Sequence, residues 1–272
     1  MVYSTEPIPL NRKKMRIHDF IEMKDQGKKI SSITCYDSSF AFIIEKTHIH
    51  CVLVGDSLGH VIQGDASTLK VTIDDIAYHL KCVSSKLKVP FLVGDMPFAS
   101  VGIDKKETFH NAAKLIKAGA EAVKIEGASP EILQDISFLA ANGIPVMGHI
   151  GLLPQSVHAM GGYKAQGKNE ASKVRLMSEA KKLQEAGCFA VVLEMVNPTL
   201  AEKISQALSI PTIGIGSGNH CDGNILVLHD MLGMNSLFNP KFLKKYANLN
   251  EVIIHAINNY CNDVEQKISE PS

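Results

Sequence analysis

The sequence has no excess of charge of either sign, because 28 Lys and Arg residues balance 28 Asp and Glu residues. Without a net positive field, a protein lacks the general attraction that gathers nucleic acid or an anionic membrane. Apolar runs of the roughly 18 residues that a membrane-spanning helix needs are absent. The opening segment MVYSTEPIPLNRKK has a glutamate and two prolines where a signal peptide has an apolar core. These absences predict a cytoplasmic, soluble protein with no nucleic-acid or membrane partner, which recognises its substrate locally.

The six cysteines form no CxxC pair. Scattered cysteines in or beside apolar stretches favour buried free thiols over a disulfide framework or a zinc site. The residues concerned are Cys35, Cys51, Cys82, Cys188, Cys221 and Cys261.

Short β-rich runs alternate with longer helix-like segments along most of the chain. The runs are 31–35, 51–56, 90–95, 121–127, 144–149, 188–194, 210–216 and 225–230. Runs that are apolar throughout are typical of parallel strands covered on both faces, and helical crossovers connect such strands. Eight of them predict a (β/α)8 barrel. Helices are expected over 74–86, 104–118, 130–141, 170–186 and 199–208, with caps at Gly119, Gly143 and Gly187.

No linker or composition break divides the chain, so we predict one domain over residues 1–272. Residues 1–30 form an N-terminal arm with a short helix over 17–24, and a C-terminal helix over 249–267 packs across the barrel or a neighbouring subunit. The segment 150–168 is long and unpatterned. Long loops in compact domains are often functional lids, and Gly161 and Gly162 would supply flexibility here.

Polar residues recur where the predicted strands end. They are Asp56, Asp95, Glu126, His149 and Glu194. The carboxyl ends of parallel barrel strands converge on one rim, where barrel active sites lie. Each residue alone could be a helix cap or a solvated loop residue, but the succession favours a site. Several carboxylates without a cysteine–histidine cluster form a hard, oxygen-rich site, which prefers Mg2+ or another hard cation to Zn2+.

Three further features leave alternatives open. Lys124 and Glu126 share one face of a predicted strand, where the lysine holds a substrate carboxylate, forms an internal ion pair, or pairs with both. Ser57 either caps the next segment or donates to a bound carboxylate. The glycine-rich turn 214–218 either holds an anion through its backbone N–H groups or is a plain tight turn.

The chain resembles the ketopantoate hydroxymethyltransferase family of the phosphoenolpyruvate/pyruvate barrel superfamily, from about residue 12 to 265. The motifs that carry this resemblance are TCYDSSFA, VGDSLGHVIQGDASTLKVTIDD, VGDMPFAS, AVKIEG, PVMGHIGLLPQSVHAMGGYKAQG, VVLEMV and IGIGSGNHCDGNILVLHD. Such a series in this order is highly specific, whereas AVKIEG alone would show little.

The resemblance implies a role for each matching position. Asp56 and Asp95 correspond to magnesium ligands, with Glu126 as a further member of the metal site. Asp56, Ser57, Asp95 and Lys124 correspond to contacts of the ketoacid. Glu194 corresponds to the general base, while His149 and the loop that contains Gly161 and Gly162 resemble a segment that closes over the site.

The implied reaction transfers a hydroxymethyl group from methylenetetrahydrofolate to 3-methyl-2-oxobutanoate and gives 2-dehydropantoate, in pantothenate biosynthesis. The residue types alone support only metal-assisted enolisation and carbon–carbon bond formation. A related carbon–carbon lyase on another 2-oxo acid and an inactive barrel in an assembly are the alternatives. The family also suggests a homo-oligomer, a decamer of two pentameric rings. Departures from the usual family pattern are His60, Lys70, Ala99, Val101, Ser217 and Asn224.

Overall fold

Eight parallel strands form a closed barrel and follow one another in chain order, as the alternating pattern predicts. A computed structural model of the chain describes residues 12–160, 162, 165–235, 239–240 and 242–266. The strands are β1 (Ile30–Thr34), β2 (Cys51–Val54), β3 (Phe91–Asp95), β4 (Ala122–Glu126), β5 (Val146–Gly151), β6 (Ala190–Glu194), β7 (Thr212–Ile215) and β8 (Gly223–Leu226). Every residue of β2, β3, β4 and β5 is buried, which explains why these strands are apolar except for a few residues towards their carboxyl ends.

The predicted position of the eighth strand was wrong over most of its length. The strand begins at Gly223 and ends at Leu226, and residues 228–231 form a short helix instead. An apolar run such as ILVLHD does not distinguish a strand from a buried helical turn, because both bury consecutive apolar side chains.

The predicted helices begin and end within two residues of their expected bounds. The helices are α1 (Ile17–Asp25), α2 (Ser38–Ile44), α3 (Leu58–Val61), α4 (Ile73–Ser84), α5 (Lys105–Lys117), α6 (Pro130–Ala141), α7 (Val157–Met160), α8 (Glu170–Glu185), α9 (Pro198–Ala207), α10 (Leu228–Met231) and α11 (Leu249–Glu265). The caps at Gly119, Gly143 and Gly187 are confirmed, with φ values of 114°, 81° and 97°. Helix α2 was not predicted, although Asp37 caps it by accepting hydrogen bonds from the amides of Ser39 and Phe40.

Helix α1 closes the amino-terminal end of the barrel. Its Phe20 is fully buried and meets Phe91 and Phe189 edge to face, with ring centroids 5.4 and 5.9 Å away. The Lys24 ammonium at the end of the helix pairs with Asp222 at 2.7 Å and donates to the carbonyl of Ser205 at 2.8 Å. The predicted arm therefore contributes to the barrel core, and the opposite, carboxyl-terminal rim remains for chemistry.

The chain divides into two compact units, Met1–Ile225 and Leu226–Ser272. The single domain over residues 1–272 therefore stays a prediction. The first unit contains β1 to β7 and all of β8 except its last residue, Leu226. In the second, the amide of Leu249 at the start of α11 donates to the carbonyl of Leu232 at 2.9 Å. Helix α11 has no buried residue. Among the described residues, no helix has both the length and the apolar character to cross a bilayer.

Candidate active site at the carboxyl ends of the strands

Neighbouring strands bring the predicted polar residues to one rim. Asp95 is the last residue of β3 and pairs in register with Lys124 of β4, while Glu126 at the end of β4 pairs with His149 of β5. Glu194 ends β6 opposite Gly151. Asp56 follows the end of β2, and its amide donates to Asp95 Oδ2 at 3.2 Å. The barrel register therefore creates the cluster that the strand-end pattern predicts.

Lys124 and Asp95 form a buried ion pair. The Lys124 ammonium lies 2.8 Å from each carboxylate oxygen of Asp95 and 4.0 Å from Glu126 Oε1. Burial opposes the charged form of Lys124, but Asp95, Glu126 and Asp56 together raise the pKa of the lysine above its ordinary value. Lys124 is therefore a fixed positive charge. The internal ion pair that the sequence left open is present, and it leaves the ammonium facing the rim carboxylates.

Asp56 is held in a crowded acidic environment. Burial, followed by the neighbouring charge of Asp95, raises the pKa of Asp56 to about 8, and burial likewise raises the pKa of Asp95. The positive charge of Lys124 opposes this rise in the pKa of Asp56. Two buried carboxylates with raised pKa values are a pair that bound positive charge would stabilise.

The charge balance of the cluster fits a divalent cation. When all are ionised, four carboxylates face the two cations Lys124 and His149, which leaves two negative charges uncompensated; the carboxylates are Asp56, Asp95, Glu126 and Glu194. The donors are oxygen atoms, as hard cations require. Glu126 is less directly placed for the metal than the aspartates, because its contacts are with His149 and the Gln155 amide.

A tight triad of ligand atoms occurs elsewhere among the described residues. His18, Asp19 and Glu22 of α1 place their ligand atoms within 4.8 Å of one another. His18 and Glu22 are largely exposed, and Glu22 also accepts from Gln26. This surface group lies on the helix that closes the amino-terminal end of the barrel, away from the rim.

Glu126, His149 and Glu194 form a row across three strand ends. His149 Nδ1 lies 3.3 Å from Glu126 Oε1, and His149 Nε2 lies 3.3 Å from Glu194 Oε2. Burial disfavours the charged imidazole, yet the two glutamates raise the pKa of His149 to about 9. His149 in turn helps to hold the pKa of Glu126 below its ordinary value, against the opposing effect of burial. At neutral pH His149 is therefore an imidazolium that lies between the two glutamates.

Glu194 is the most accessible member of this row. Its side chain is 20% exposed, compared with 1% for His149 and 4% for Glu126. The backbone that carries it is tightly fixed: Met195 has a φ of 50°, and the Glu194 carbonyl accepts from the Leu152 amide at 2.8 Å. A Cβ on Gly151 would lie 2.2 Å from that carbonyl oxygen, so the close approach of the two strands needs glycine there.

Ser217 also holds the backbone around Glu194, a role that the sequence did not reveal. Its buried hydroxyl donates to the carbonyl of Leu193 at 2.7 Å and accepts from the amide of Val196 at 2.9 Å. The contacts fall on both sides of the Glu194–Met195 bend. Ser217 is a departure from the family pattern, but its hydroxyl points into the backbone rather than into a rim contact with substrate.

Ser57 lies beside the aspartates without capping a helix through its side chain. Its hydroxyl shares a 2.7 Å hydrogen bond with the hydroxyl of Tyr36, and His79 contacts the Tyr36 carbonyl at 2.6 Å. The capping role that the sequence left open is thus absent. Tyr36 was not predicted as a site residue, although it lies in the TCYDSSFA motif.

The expected lid begins with ordered structure rather than an unpatterned loop. A 3-10 helix over Pro154–Ser156 is followed by α7. Gly162 has a φ of 99° and open space around its Cα, while Gly161 lies outside the described residues. Gln155, which the sequence analysis missed, donates to Asp56 Oδ2 at 3.2 Å and to the carbonyl of Met96 at 3.1 Å.

The remaining departures from the family pattern have no contact with this cluster among the hydrogen bonds of the described residues. The His60 ring and the Lys70 ammonium both contact Asp65, at 3.0 and 2.5 Å. Ala99 has a φ of 62°, which is unusual for a residue other than glycine. Asn224 is exposed on β8, and Val101 follows the bend at Ala99. We assign none of these residues a role in substrate binding.

Comparisons with known proteins indicate the same family as the sequence motifs. The model of the ketopantoate hydroxymethyltransferase family matches residues 14–268. The 3-methyl-2-oxobutanoate hydroxymethyltransferase of Legionella pneumophila (strain Corby) is 49% identical over 93% of this chain and 96% of its own length. The enzyme of the same name from Clostridium botulinum (strain Alaska E43) is 50% identical over 92% and 91%.

The fold is also similar to that of a solved 2,3-dimethylmalate lyase of the PEP mutase/isocitrate lyase superfamily. The TM-score is 0.60 at 12% identity, over 94% of this chain and 90% of that one. The sequence motifs, the barrel and the extent of these matches agree with one another. The chain belongs to the ketopantoate hydroxymethyltransferase family.

Proposed function

We propose that the rim cluster binds Mg2+ and 3-methyl-2-oxobutanoate and carries out the hydroxymethyl transfer of the family, with methylenetetrahydrofolate as co-substrate. The product is 2-dehydropantoate, in pantothenate biosynthesis. One observation carries the site assignment: two adjacent buried aspartates, a fixed ammonium and a Glu–His–Glu row lie at one barrel rim. The cytoplasmic location stays a prediction.

Asp56 and Asp95 are the residues that would hold the magnesium ion. Glu126 would be a further member of the metal site, placed less directly than the two aspartates. A bound Mg2+ would supply positive charge next to the ketoacid oxygens and so acidify the hydrogen on the adjacent carbon. The raised pKa values of both aspartates support this assignment, because a bound cation would offset the cost of ionising two adjacent buried carboxylates.

Lys124 and Ser57 would orient the ketoacid. The Lys124 ammonium remains charged at all working pH values because three carboxylates stabilise it, and it can attract a substrate carboxylate while keeping its bond to Asp95. Among the described residues the Ser57 hydroxyl has one side-chain partner, Tyr36, so it can act as donor or acceptor towards a second group. Both groups lie beside Asp56 and Asp95 in the fold.

Glu194 would remove the hydrogen from carbon 3 of the ketoacid. Its Oε2 lies 3.3 Å from His149 Nε2, and this contact orients the carboxylate. The other carboxylate oxygen and the 20% exposure leave it open to a substrate. His149 itself is unsuited as the base, because a ring with a pKa of about 9 already carries both protons at neutral pH.

A co-substrate assay tests the proposal. Purified protein with Mg2+ and 3-methyl-2-oxobutanoate is expected to form 2-dehydropantoate only when methylenetetrahydrofolate is added, and to lose activity on treatment with a chelator. Product would be followed by mass spectrometry. Turnover of a 2-oxo acid without folate would indicate a lyase instead, and absence of turnover would indicate an inactive barrel.

Helix α11 supports the proposed homo-oligomer. One face of this helix carries apolar side chains at the spacing i, i+4, i+7 and i+11, and each is 40–69% exposed; they are Ile253, Ile257, Tyr260 and Val264. An apolar stripe of this kind typically marks a protein–protein contact. Another copy of the chain is the partner that a homo-oligomer, proposed here as a decamer, would supply.

Charging this stripe should disrupt the assembly. The double variant Ile253→Asp with Ile257→Asp is expected to shift the species seen by mass photometry from the oligomer to smaller forms, because each carboxylate would have to be buried without a partner. Asn262→Asp, on the opposite face of α11, is the matched control and should leave the mass unchanged. An unchanged mass for the double variant would exclude α11 from the interface.

A further inference from the structure

Gln155 connects the ends of three different strands. Its side-chain amide donates to Asp56 Oδ2 at 3.2 Å and to the carbonyl of Met96 at 3.1 Å, while its backbone amide donates to Glu126 Oε2 at 3.2 Å. The three acceptors follow β2, β3 and β4 or end them. Both side-chain N–H groups are therefore used, one on the Asp56 carboxylate and the other on the Met96 carbonyl.

The segment that carries Gln155 is also anchored on the far side of the site. Just before it, the amide of Leu152 donates to the carbonyl of Glu194 at 2.8 Å. Between these anchors, Pro154 starts the 3-10 helix and the amide of Ser156 closes it on the carbonyl of Leu153 at 2.9 Å. The segment from Leu152 to Gln155 thus runs from the Glu194 end of the cluster to the Asp56 end.

We infer that Gln155 is a positioning residue: it orients the carboxylate of Asp56 for a divalent cation and ties the turn over residues 152–158 to that carboxylate. The inference rests on the function proposed above. A carboxylate has two oxygens, and a donor fixed on Oδ2 restricts rotation of the group as a whole. Groups that hydrogen-bond to metal-holding carboxylates affect metal affinity in this way, typically by about 10- to 100-fold.

A purely structural role is the competing explanation, since Gln155 also ties its turn to the Met96 carbonyl. The two explanations differ in what they predict. A structural tie alone would lower thermal stability without a specific effect on cation binding. A positioning role would weaken cation binding and increase exchange of the turn even where the protein remains fully folded.

The variant Gln155→Met tests the inference, because methionine has a similar length and no N–H donor. Ser156→Ala is the matched control, since the Ser156 hydroxyl has no partner within the described part of the chain. Mn2+ would serve as the cation probe, and its binding to the whole protein would be measured by electron paramagnetic resonance. Hydrogen exchange of residues 152–158 and thermal unfolding would be measured alongside.

Gln155→Met is expected to weaken Mn2+ binding by about tenfold or more and to increase exchange over 152–158, while Ser156→Ala binds as the parent does. Parental Mn2+ affinity in Gln155→Met, whether its thermal stability falls or not, would overturn the inference and leave the proposed function intact. Failure of the parent itself to bind Mn2+ would overturn both. If Gln155→Met does not fold, Gln155→Ala and Gln155→Asn, whose shorter amide cannot span to Asp56, would be measured with the same criteria.

Discussion

Replacing Asp95 by asparagine is expected to reduce metal-dependent turnover by at least about a hundredfold. Asparagine keeps the shape of the side chain but removes the charge that faces the Lys124 ammonium at 2.8 Å and would hold the cation. Loss of one of two anchoring carboxylates leaves a weakly held Mg2+. Asp56→Asn should behave similarly, and excess Mg2+ should restore part of the activity. Turnover measured over a range of Mg2+ concentrations gives both results.

Asp65→Asn is the control for this pair. Asp65 is also an aspartate of the region that follows β2, but it pairs with the largely exposed Lys70. Its replacement should leave the Mg2+ dependence unchanged. Near-parental turnover of either rim variant at ordinary Mg2+ would show that its aspartate does not hold the metal, and the assignment of the rim would then be wrong at that position.

Replacing Glu194 by glutamine is expected to separate binding from chemistry. Glutamine preserves the shape and much of the hydrogen bonding, so Mg2+ and 3-methyl-2-oxobutanoate should still bind. Turnover should fall by about a hundredfold or more, the usual cost of losing a general base. Calorimetric binding of the ketoacid and steady-state kinetics measure the two effects, and Glu185→Gln, exposed at the end of α8, is the control.

The structure limits which other group can be the base. Among the alternatives at the rim, His149 has a pKa of about 9 and is protonated at neutral pH. Glu126 is a weaker base than usual, because His149 and Lys124 lower its pKa despite burial, and it is almost fully enclosed. Full turnover of Glu194→Gln would therefore require a rearrangement of the Glu–His–Glu row.

The strand-end residues could be predicted from sequence because the parallel barrel imposes their convergence. Asp95, Glu126 and Glu194 each end a strand, so the chain order of the strands is sufficient to place them at one rim. The helix bounds were predicted for a similar reason: caps such as Gly119 and Gly187 are local signals. The roles of the rim residues still depend on resemblance and remain proposals.

Contacts between distant segments could not be predicted in the same way. Gln155 meets Asp56 across 99 positions of the chain, and Ser217 meets the backbone beside Glu194 across 21. Neither residue type indicates such a partner, since Gln and Ser are common in loops. Phe20 was predicted to lie in an N-terminal arm. Its contact with Phe91 forms only in the folded barrel, so the sequence did not show that it belongs to the core. The end of β8 was misjudged because its apolar run continues into α10.

Deuterium exchange at carbon 3 of 3-methyl-2-oxobutanoate tests the central claim most directly. The substrate would be incubated in deuterated water with the protein and Mg2+, without folate, and followed by proton NMR. The parent protein is expected to catalyse exchange, to stop when Mg2+ is chelated, and to exchange at least about a hundredfold faster than Glu194→Gln. Equal exchange by the parent and Glu194→Gln would contradict the account, because proton removal would then not depend on Glu194.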